Sequence, residues 1–196
     1  MPVLTVLAGP NGSGKSSITT LLEFEGREKL LDPDAIARRI PTRPAVAAGR
    51  EVITRTRLYL GNRESFALET TLSSASTLAT MREARQHGFA VRLYFICLSD
   101  AEQNIERVNE RASRGGHDVP DRDIRRRYGR SLQNLAPALQ LADEALVLDN
   151  LGNKPQPVLE TRSGGIIWRA YTVPVWVTRV CAQIETVRVE STNASE

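Results

Sequence analysis

Residues 9–16, close to the N-terminus, limit the possible folds more than any other part of the sequence. They consist of Gly-Pro-Asn-Gly-Ser-Gly-Lys-Ser and fit the pattern GxxxxGK[ST]. The apolar run Val3–Ala8 before them has the character of a buried parallel strand. Helical spacing of Ile18, Leu21 and Leu22 follows them. A strand, a glycine-rich turn and a helix in this order are the context of a phosphate-binding loop, and eight matching positions disfavour a turn without a ligand.

The chemistry of such a loop predicts a nucleotide and a metal ion. Its glycines let backbone N–H groups point at phosphate oxygens, and the helix N-terminus adds partial positive charge. Lys15 is predicted to be exposed and to reach the β- and γ-phosphates, and the Ser16 hydroxyl to bind Mg²⁺. We therefore predict ATP and Mg²⁺ as cofactors, bound by Gly9, Pro10, Asn11, Gly12, Ser13, Gly14, Lys15, Ser16 and Ser17.

Strand and helix patterns alternate along the next 130 residues. Four more apolar runs predict strands at 29–31, 66–68, 90–98 and 145–148. Helical patterns separate them, one over 44–60, and one that begins with a capping box formed by Ser99 and Glu102. Such alternation is typical of an α/β fold in which helices cover both faces of a parallel sheet.

The composition changes after Asn150. Two prolines and the pair Gly164-Gly165 indicate short strands at 157–161 and 166–172, and a helix is predicted over 174–186. We therefore predict a main domain over 1–150 and a β-β-α extension over 151–196 packed on it, with a frayed tail at 190–196.

Composition narrows the class of protein. Hydrophobic residues make up 41% of the 196, enough for a packed core. The net charge of +3 and the 5% of aromatic residues argue against nucleic acid as a partner. We expect a cytoplasmic protein without a membrane span, because no signal pattern or apolar stretch of 18 residues occurs and two distant cysteines indicate no disulfide.

Two carboxylates follow the second predicted strand. Asp34 is expected at the carboxyl edge of the sheet, where a carboxylate can accept the proton of an attacking hydroxyl. Asp32 offers the same chemistry, and a turn formed around Pro33 is the structural alternative for both.

A third carboxylate, Glu69, ends the third predicted strand beside Thr70 and Thr71. This group can order Mg²⁺ through water or hold a substrate hydroxyl. The structural alternative is a strand end followed by a helix N-cap at Ser73 or Ser74.

Eight arginines occur between residues 104 and 130, against five acidic residues. Arg107, Arg111 and Arg114 lie on one helical stripe that ends at Gly115-Gly116, and Arg125-Arg126-Arg127 follow. A glycine-hinged, arginine-lined segment suits a lid over phosphates, whereas a solvated helix face accounts equally well for about half of these side chains. His117 is interpreted either as a ligand contact or as a loop residue.

Several motifs together resemble the zeta-toxin-like P-loop kinases, in particular their compact branch labelled predicted ABC-type ATPase. The resemblance covers about residues 3–150 and includes the loop 8–16, Asp32-Pro-Asp-Ala-Ile-Ala, Glu69-Thr-Thr-Leu-Ser, Gly115-Gly-His-Asp-Val-Pro, the segment 124–135 and Asp149-Asn150.

The resemblance implies a sheet order 2-3-1-4-5 and a kinase whose acceptor is the sugar hydroxyl of UDP-N-acetylglucosamine. It also implies an antitoxin protein as partner. By the same resemblance, Asp34 is expected to be the general base and Lys15 the residue that holds the phosphates. Glu69 and Thr71 are expected to contact the substrate, and Arg111 and Arg127 to stabilise the transition state. Three other readings stay open: a kinase for another nucleotide or dinucleotide metabolite, an ATP-binding regulatory module without catalysis, and a nucleic-acid-associated ATPase. The modest net charge and the few aromatic residues argue against the last.

Overall fold

The computed structural model describes residues 1–42, 44–116, 118–152 and 154–193, with the backbone alone at 17, 18, 21 and 187–193. Its elements in chain order are β1 (Val3–Ala8), α1 (Lys15–Leu21), a 3₁₀ turn (Arg27–Lys29), β2 (Leu30–Leu31), α2 (Pro33–Ala37), α3 (Pro44–Asn62), β3 (Phe66–Thr70), α4 (Ala75–Gln86), β4 (Ala90–Cys97), α5 (Ala101–Ser113), α6 (Asp121–Leu141), β5 (Glu144–Asp149), β6 (Gln156–Arg162), β7 (Gly165–Arg169) and α7 (Val175–Asn193).

One sheet of seven strands organises the molecule, in the order β2-β3-β1-β4-β5-β6-β7. The first five strands are parallel, and the hairpin β6–β7 joins β5 in antiparallel pairing. The predicted order 2-3-1-4-5 is therefore confirmed. Since β1 pairs with β3 on one side and β4 on the other, the loop after Ala8 lies at the centre of the sheet, where the strand order reverses.

The core explains why the apolar runs become strands. All six residues of β1 are buried, so the strand is covered on both faces. On one face, α4, α6 and α7 contribute buried side chains such as Met81, Leu135 and Trp176. On the other face, Leu22 and Phe24 pack against Leu7 and its buried neighbours on β4 and β5.

Three local predictions need correction, each for a physical reason. Asp100, not Ser99, is the N-cap of α5, because the helix begins at Ala101 and the Asp100 carboxylate accepts the backbone N–H of Gln103. The second strand begins at Leu30, because the residue before it belongs to the 3₁₀ turn. The last helix ends at 193 instead of 186, since residues 187–193 include neither glycine nor proline.

The C-terminal segment is continuous with the rest of the molecule. Its strand β6 hydrogen-bonds to β5, and α7 buries Trp176, Val177 and Ile184 in the main core. Within the described ranges, no helix has both the length and the apolar character needed to cross a membrane.

Candidate active site

The loop at residues 9–14 adopts a backbone that depends on glycine, as Gly12 and Gly14 show. Gly12 and Gly14 have φ angles of 79° and 100°, in the left-handed region. A Cβ at Gly12 would lie 2.4 Å from the backbone oxygen of Asn104, and one at Gly14 would lie 2.3 Å from Nδ2 of Asn150. The two glycines therefore permit both the turn and the close approach of neighbouring elements.

Lys15 begins α1 and bends back over the loop. Its ammonium donates hydrogen bonds to the carbonyl oxygens of Gly9, at 2.9 Å, and Pro10, at 3.1 Å. Burial lowers the pKa of this ammonium, while the negative charges of Glu69 and Asp34 act in the opposite direction. The expectation of an exposed Lys15 without contacts is wrong, because the loop carbonyls enclose the ammonium.

A cleft of about 640 Å³ opens beside the loop, between α2, α3, the end of β3 and α4. It brings together seven of the predicted site residues, which come from four separate parts of the chain. These are Asn11, Lys15, Asp34, Glu69, Thr70, Thr71 and Arg127.

The two aspartates at the entrance of this cleft have different surroundings. Asp32 is the N-cap of α2, and its Oδ1 accepts the backbone N–H of Asp34 at 2.8 Å. Asp34 lies in the first turn of α2, exposed and lining the cleft. The structural alternative, a role in the local turn, therefore applies to Asp32 and not to Asp34. Both carboxylates nevertheless line the cleft.

Glu69 is a largely buried carboxylate of the cleft. Burial raises its pKa above the ordinary value for glutamate, and the nearby Lys15 ammonium partly offsets this. A carboxylate in such surroundings is stabilised when a cation approaches, which suits a place next to a metal–nucleotide complex.

The threonines after Glu69 line the cleft but also organise the turn that follows. Thr70 Oγ1 accepts the backbone N–H of Leu72 at 3.1 Å and shares a hydrogen bond with the hydroxyl of Thr77. Thr71 Oγ1 lies 2.8 Å from Ser73 Oγ. The predicted cap of the next helix is confirmed at Ser74, whose side chain accepts the N–H of Ser76.

Leu72 and Asn134 are features of this turn that sequence reasoning missed. Leu72 is fully buried with a φ of 55°, a conformation unusual for leucine that costs about 1–3 kcal/mol. Asn134 on α6 donates from Nδ2 to the Leu72 carbonyl oxygen at 2.9 Å. The turn beside the cleft is therefore strained and held in place from α6.

Five of the eight arginines between residues 104 and 130 fall into two groups. Arg127 lines the cleft and donates from Nη1 to Asn11 Oδ1 at 3.1 Å. Arg111 lines a separate depression at the end of α5, and its charge lowers the pKa of Lys15. Surface ion pairs engage three others: Arg114 with Glu110, Arg125 with Glu102, and Arg126 with Asp123. The helix-face interpretation applies to these three side chains.

Two predicted residues lie outside this description. His117 is not among the described residues, and the side chain of Ser17 is not described. Asn104 was not singled out from the sequence, and Asn150 was named only as part of the motif Asp149-Asn150, although both contact the loop directly.

Comparison with known proteins places the chain in a family. Residues 4–131 match the family described as AAA domain, and this range is more than half of the chain. The chain belongs to the AAA domain family. A protein of Haemophilus influenzae, described as an uncharacterized protein, is 33% identical over 124 residues, which cover 61% of this chain and 88% of that protein.

Solved structures share the fold at low sequence identity. The PezAT chromosomal toxin–antitoxin system of Streptococcus pneumoniae has a TM-score of 0.61 at 14% identity, covering 82% of this chain and 71% of that one. The AvrRxo1-ORF1:AvrRxo1-ORF2 complex with sulphate ions has a TM-score of 0.56 at 15% identity. The same complex with ATP gives 0.55 at 15% identity.

In both AvrRxo1 structures the match covers 85% of this chain and 60% of that chain. At such identities the similarity establishes the fold. This AAA domain therefore has the mostly parallel sheet of P-loop kinases, and the resemblance to the zeta-toxin type is confirmed at that level.

Proposed function

We propose that this AAA domain is an ATP-dependent phosphotransferase that moves the γ-phosphate onto a hydroxyl group of a small molecule. The observation that carries the proposal is that a single cleft joins Lys15 of the phosphate-binding loop to the Asp34 carboxylate and the Arg127 guanidinium. A kinase needs these three kinds of group side by side.

ATP is proposed to bind through the loop backbone and the N-terminus of α1. Lys15 already lies at the loop, so it can exchange the carbonyl oxygens of Gly9 and Pro10 for phosphate oxygens. A neighbour of similar fold has been solved with ATP, which supports this assignment.

The oxygen atoms around the loop suit Mg²⁺. The Ser16 hydroxyl and the Glu69 carboxylate are hard ligands of the kind Mg²⁺ prefers, and Mg²⁺ keeps several waters beside one or two protein ligands. No group of three or more His, Cys, Asp or Glu side chains suited to a metal occurs among the described residues. Bound there, the ion would neutralise charge on the phosphates.

The chain's own residues supply the remaining steps. Asp34 orients the acceptor hydroxyl and takes its proton as the oxygen attacks the γ-phosphorus. Arg127 and Arg111 offset the negative charge that the transferring phosphoryl group carries. Lys15 holds the phosphates in position, and the bond to the β-phosphate breaks with ADP as the leaving group.

The acceptor is proposed to lie in the part of the cleft between α3 and α4. Val52, Ile53 and Leu68 provide apolar surface there, and Thr77 and Thr80 provide hydroxyl groups. A volume of about 640 Å³ accommodates a molecule of nucleotide size. The leading acceptor is a UDP-N-acetyl-amino sugar, on the strength of the resemblance, and another nucleotide or dinucleotide metabolite is the second candidate.

A role in a toxin–antitoxin pair is part of the same proposal. It rests on the similarity in fold to PezAT, which is a toxin–antitoxin system. The competing function is an ATP-binding regulatory module. The Asp34 carboxylate argues against that module, because binding ATP without transferring phosphate requires no base beside the loop.

The test is a search for a phosphorylated product. The protein is incubated with ATP·Mg²⁺ and a metabolite extract, in parallel with purified UDP-N-acetylglucosamine, and mass spectrometry looks for a compound that gains one phosphate. Lys15→Ala is the control and should form no product. Equal product with wild type and Lys15→Ala would refute the phosphotransferase, and a product other than the UDP-sugar would reassign the acceptor alone.

A further inference from the structure

We propose that Asn104 and Asn150 are positioning residues of the phosphate-binding loop, each holding one backbone N–H group in the direction of the nucleotide phosphates. The inference rests on the proposed ATP binding and names residues outside the glycine-rich motif. Neither asparagine lines the cleft, so each acts through the loop.

Both side chains donate to loop carbonyls from distant parts of the chain. Asn104 on α5 donates from Nδ2 to the carbonyl oxygen of Asn11 at 2.5 Å, and Asn150, directly after β5, donates to that of Ser13 at 2.8 Å. They lie 93 and 137 positions from their acceptors. With 0% and 7% of their surfaces exposed, neither has much water to compete for its amide.

Peptide geometry converts these contacts into a direction for two N–H groups. In a planar trans peptide, the C=O of one residue and the N–H of the next point in opposite directions. Because the carbonyl of Asn11 points towards Asn104, the N–H of Gly12 points away from Asn104. In the same way, the carbonyl of Ser13 points towards Asn150 and the N–H of Gly14 points away from Asn150. Among the described residues, neither of these two N–H groups has a hydrogen-bond acceptor.

The same pair of side chains explains the shape of the loop at its glycines. The Gly14 backbone approaches Asn150 so closely that a Cβ would lie 2.3 Å from Nδ2, and Gly12 approaches the Asn104 backbone in the same way. Each asparagine thus occupies the space that a side chain at its glycine would fill. The donors act as part of the loop although they belong to other elements.

An amide suits this task better than a charged donor. A neutral amide donates to the carbonyl oxygen without placing a further charge beside the phosphates. An ionised carboxylate in its place has no proton to donate and would repel the carbonyl oxygen. The Oδ1 of Asn104 is buried without a partner among the described residues, so its Nδ2 provides all of the polar contact that this side chain makes there. Burial of that unpaired oxygen is costly, which favours a role for the donor.

The test separates phosphate binding from stability. Asn104→Leu and Asn150→Leu keep the approximate size and remove the donor. Affinities for inorganic tripolyphosphate and for adenosine are measured by calorimetry on the whole chain, together with the melting temperature. We expect tripolyphosphate to bind about 10- to 100-fold more weakly to each variant, as for loss of a hydrogen bond to a charged group, with adenosine unchanged.

Asn134→Leu is the matched control. The side-chain amide of Asn134 also donates to a backbone carbonyl, but this carbonyl is that of Leu72 in the turn after β3, outside the phosphate-binding loop. This variant should lose stability but bind tripolyphosphate like the wild type. The inference is overturned if the Asn104 and Asn150 variants bind tripolyphosphate like the wild type. It is equally overturned if both probes weaken together in all three variants, in step with stability.

Asn150→Asp provides a second readout that does not depend on the leucine variants folding well. A protonated carboxyl can donate to the Ser13 carbonyl, whereas an ionised one cannot. Affinity for tripolyphosphate should therefore rise towards that of the wild type as the pH falls, and at low pH should exceed that of Asn150→Leu. Equal affinities of the two variants at low pH would contradict a role for the donor. If the wild type binds neither ATP nor tripolyphosphate, the proposed function itself fails.

Discussion

The substitution Asp34→Asn distinguishes a kinase from a binding module. Asp34 is exposed, and the cap of α2 is provided by Asp32, so the change removes a base without removing a structural contact. Loss of the negative charge near the helix N-terminus costs the fold about 0.3–1 kcal/mol. ATP·Mg²⁺ should bind nearly as tightly as before, because the loop backbone and Lys15 provide that affinity.

The rate of phosphoryl transfer should fall by about 10²–10⁴-fold, the usual contribution of general acid–base catalysis. This corresponds to about 3–5 kcal/mol of transition-state stabilisation. The assay compares single-turnover transfer of the γ-phosphate with the dissociation constant of ATP·Mg²⁺, for wild type and variant. A binding module would show the same affinities and no transfer in either protein.

Asp32→Asn is the internal control, since asparagine caps a helix as well as aspartate does and the α2 cap is kept. Its transfer rate should stay within about threefold of the wild type, as expected for a site whose backbone contact is preserved. If Asp32→Asn abolishes transfer and Asp34→Asn does not, the base is assigned to the wrong carboxylate. If neither variant is slower, no carboxylate at this position is the base.

Three further changes test the site. Arg127→Ala should lower kcat by about a thousandfold or more. Arg125→Ala breaks only a surface ion pair and should leave kcat unchanged. Equally small effects of both substitutions in steady-state kinetics would assign both arginines to a solvated helix face. Gly14→Ala should weaken ATP·Mg²⁺ binding and lower the melting temperature by about 3–6 °C, because the new Cβ meets Asn150; an unchanged protein would contradict that close approach. Burial raises the pKa of Glu69 in the folded protein. The protonated Glu69 side chain therefore stabilises the fold most at pH values below the ordinary glutamate pKa, and this stabilisation is lost as the pH rises through the folded-state pKa. Glu69→Gln should therefore raise the melting temperature at neutral pH, with a gain that shrinks towards about pH 4, and thermal melts showing a pH-independent difference would contradict this.

The parallel part of the fold was predictable because its strands are buried on both faces. A buried strand such as β1 is a continuous apolar run, and such runs are visible without knowledge of the partners. The ends of elements were less predictable. Ser99 and Asp100 are both good caps, and only the starting residue of α5 decides between them.

The site was predictable where residues follow a strand or belong to a motif. Asp34 and Glu69 could be placed because the carboxyl ends of parallel strands meet at one edge of the sheet. The enclosure of Lys15 and the contacts of Asn104 and Asn150 could not. These contacts depend on the directions of loop carbonyl groups, which only the folded backbone sets. No sequence pattern indicates which carbonyl group a distant asparagine will bind.

The segment after β5 shows that the family match and the hydrophobic core have different boundaries in this molecule. The family match ends at residue 131, before β5 begins. Yet Trp176 on α7 contacts the ring of Phe95 on β4, with centroids 6.0 Å apart, and Val177 and Ile184 are buried in the same core. The hydrophobic core of the family-matched region is therefore completed by residues that lie outside the match.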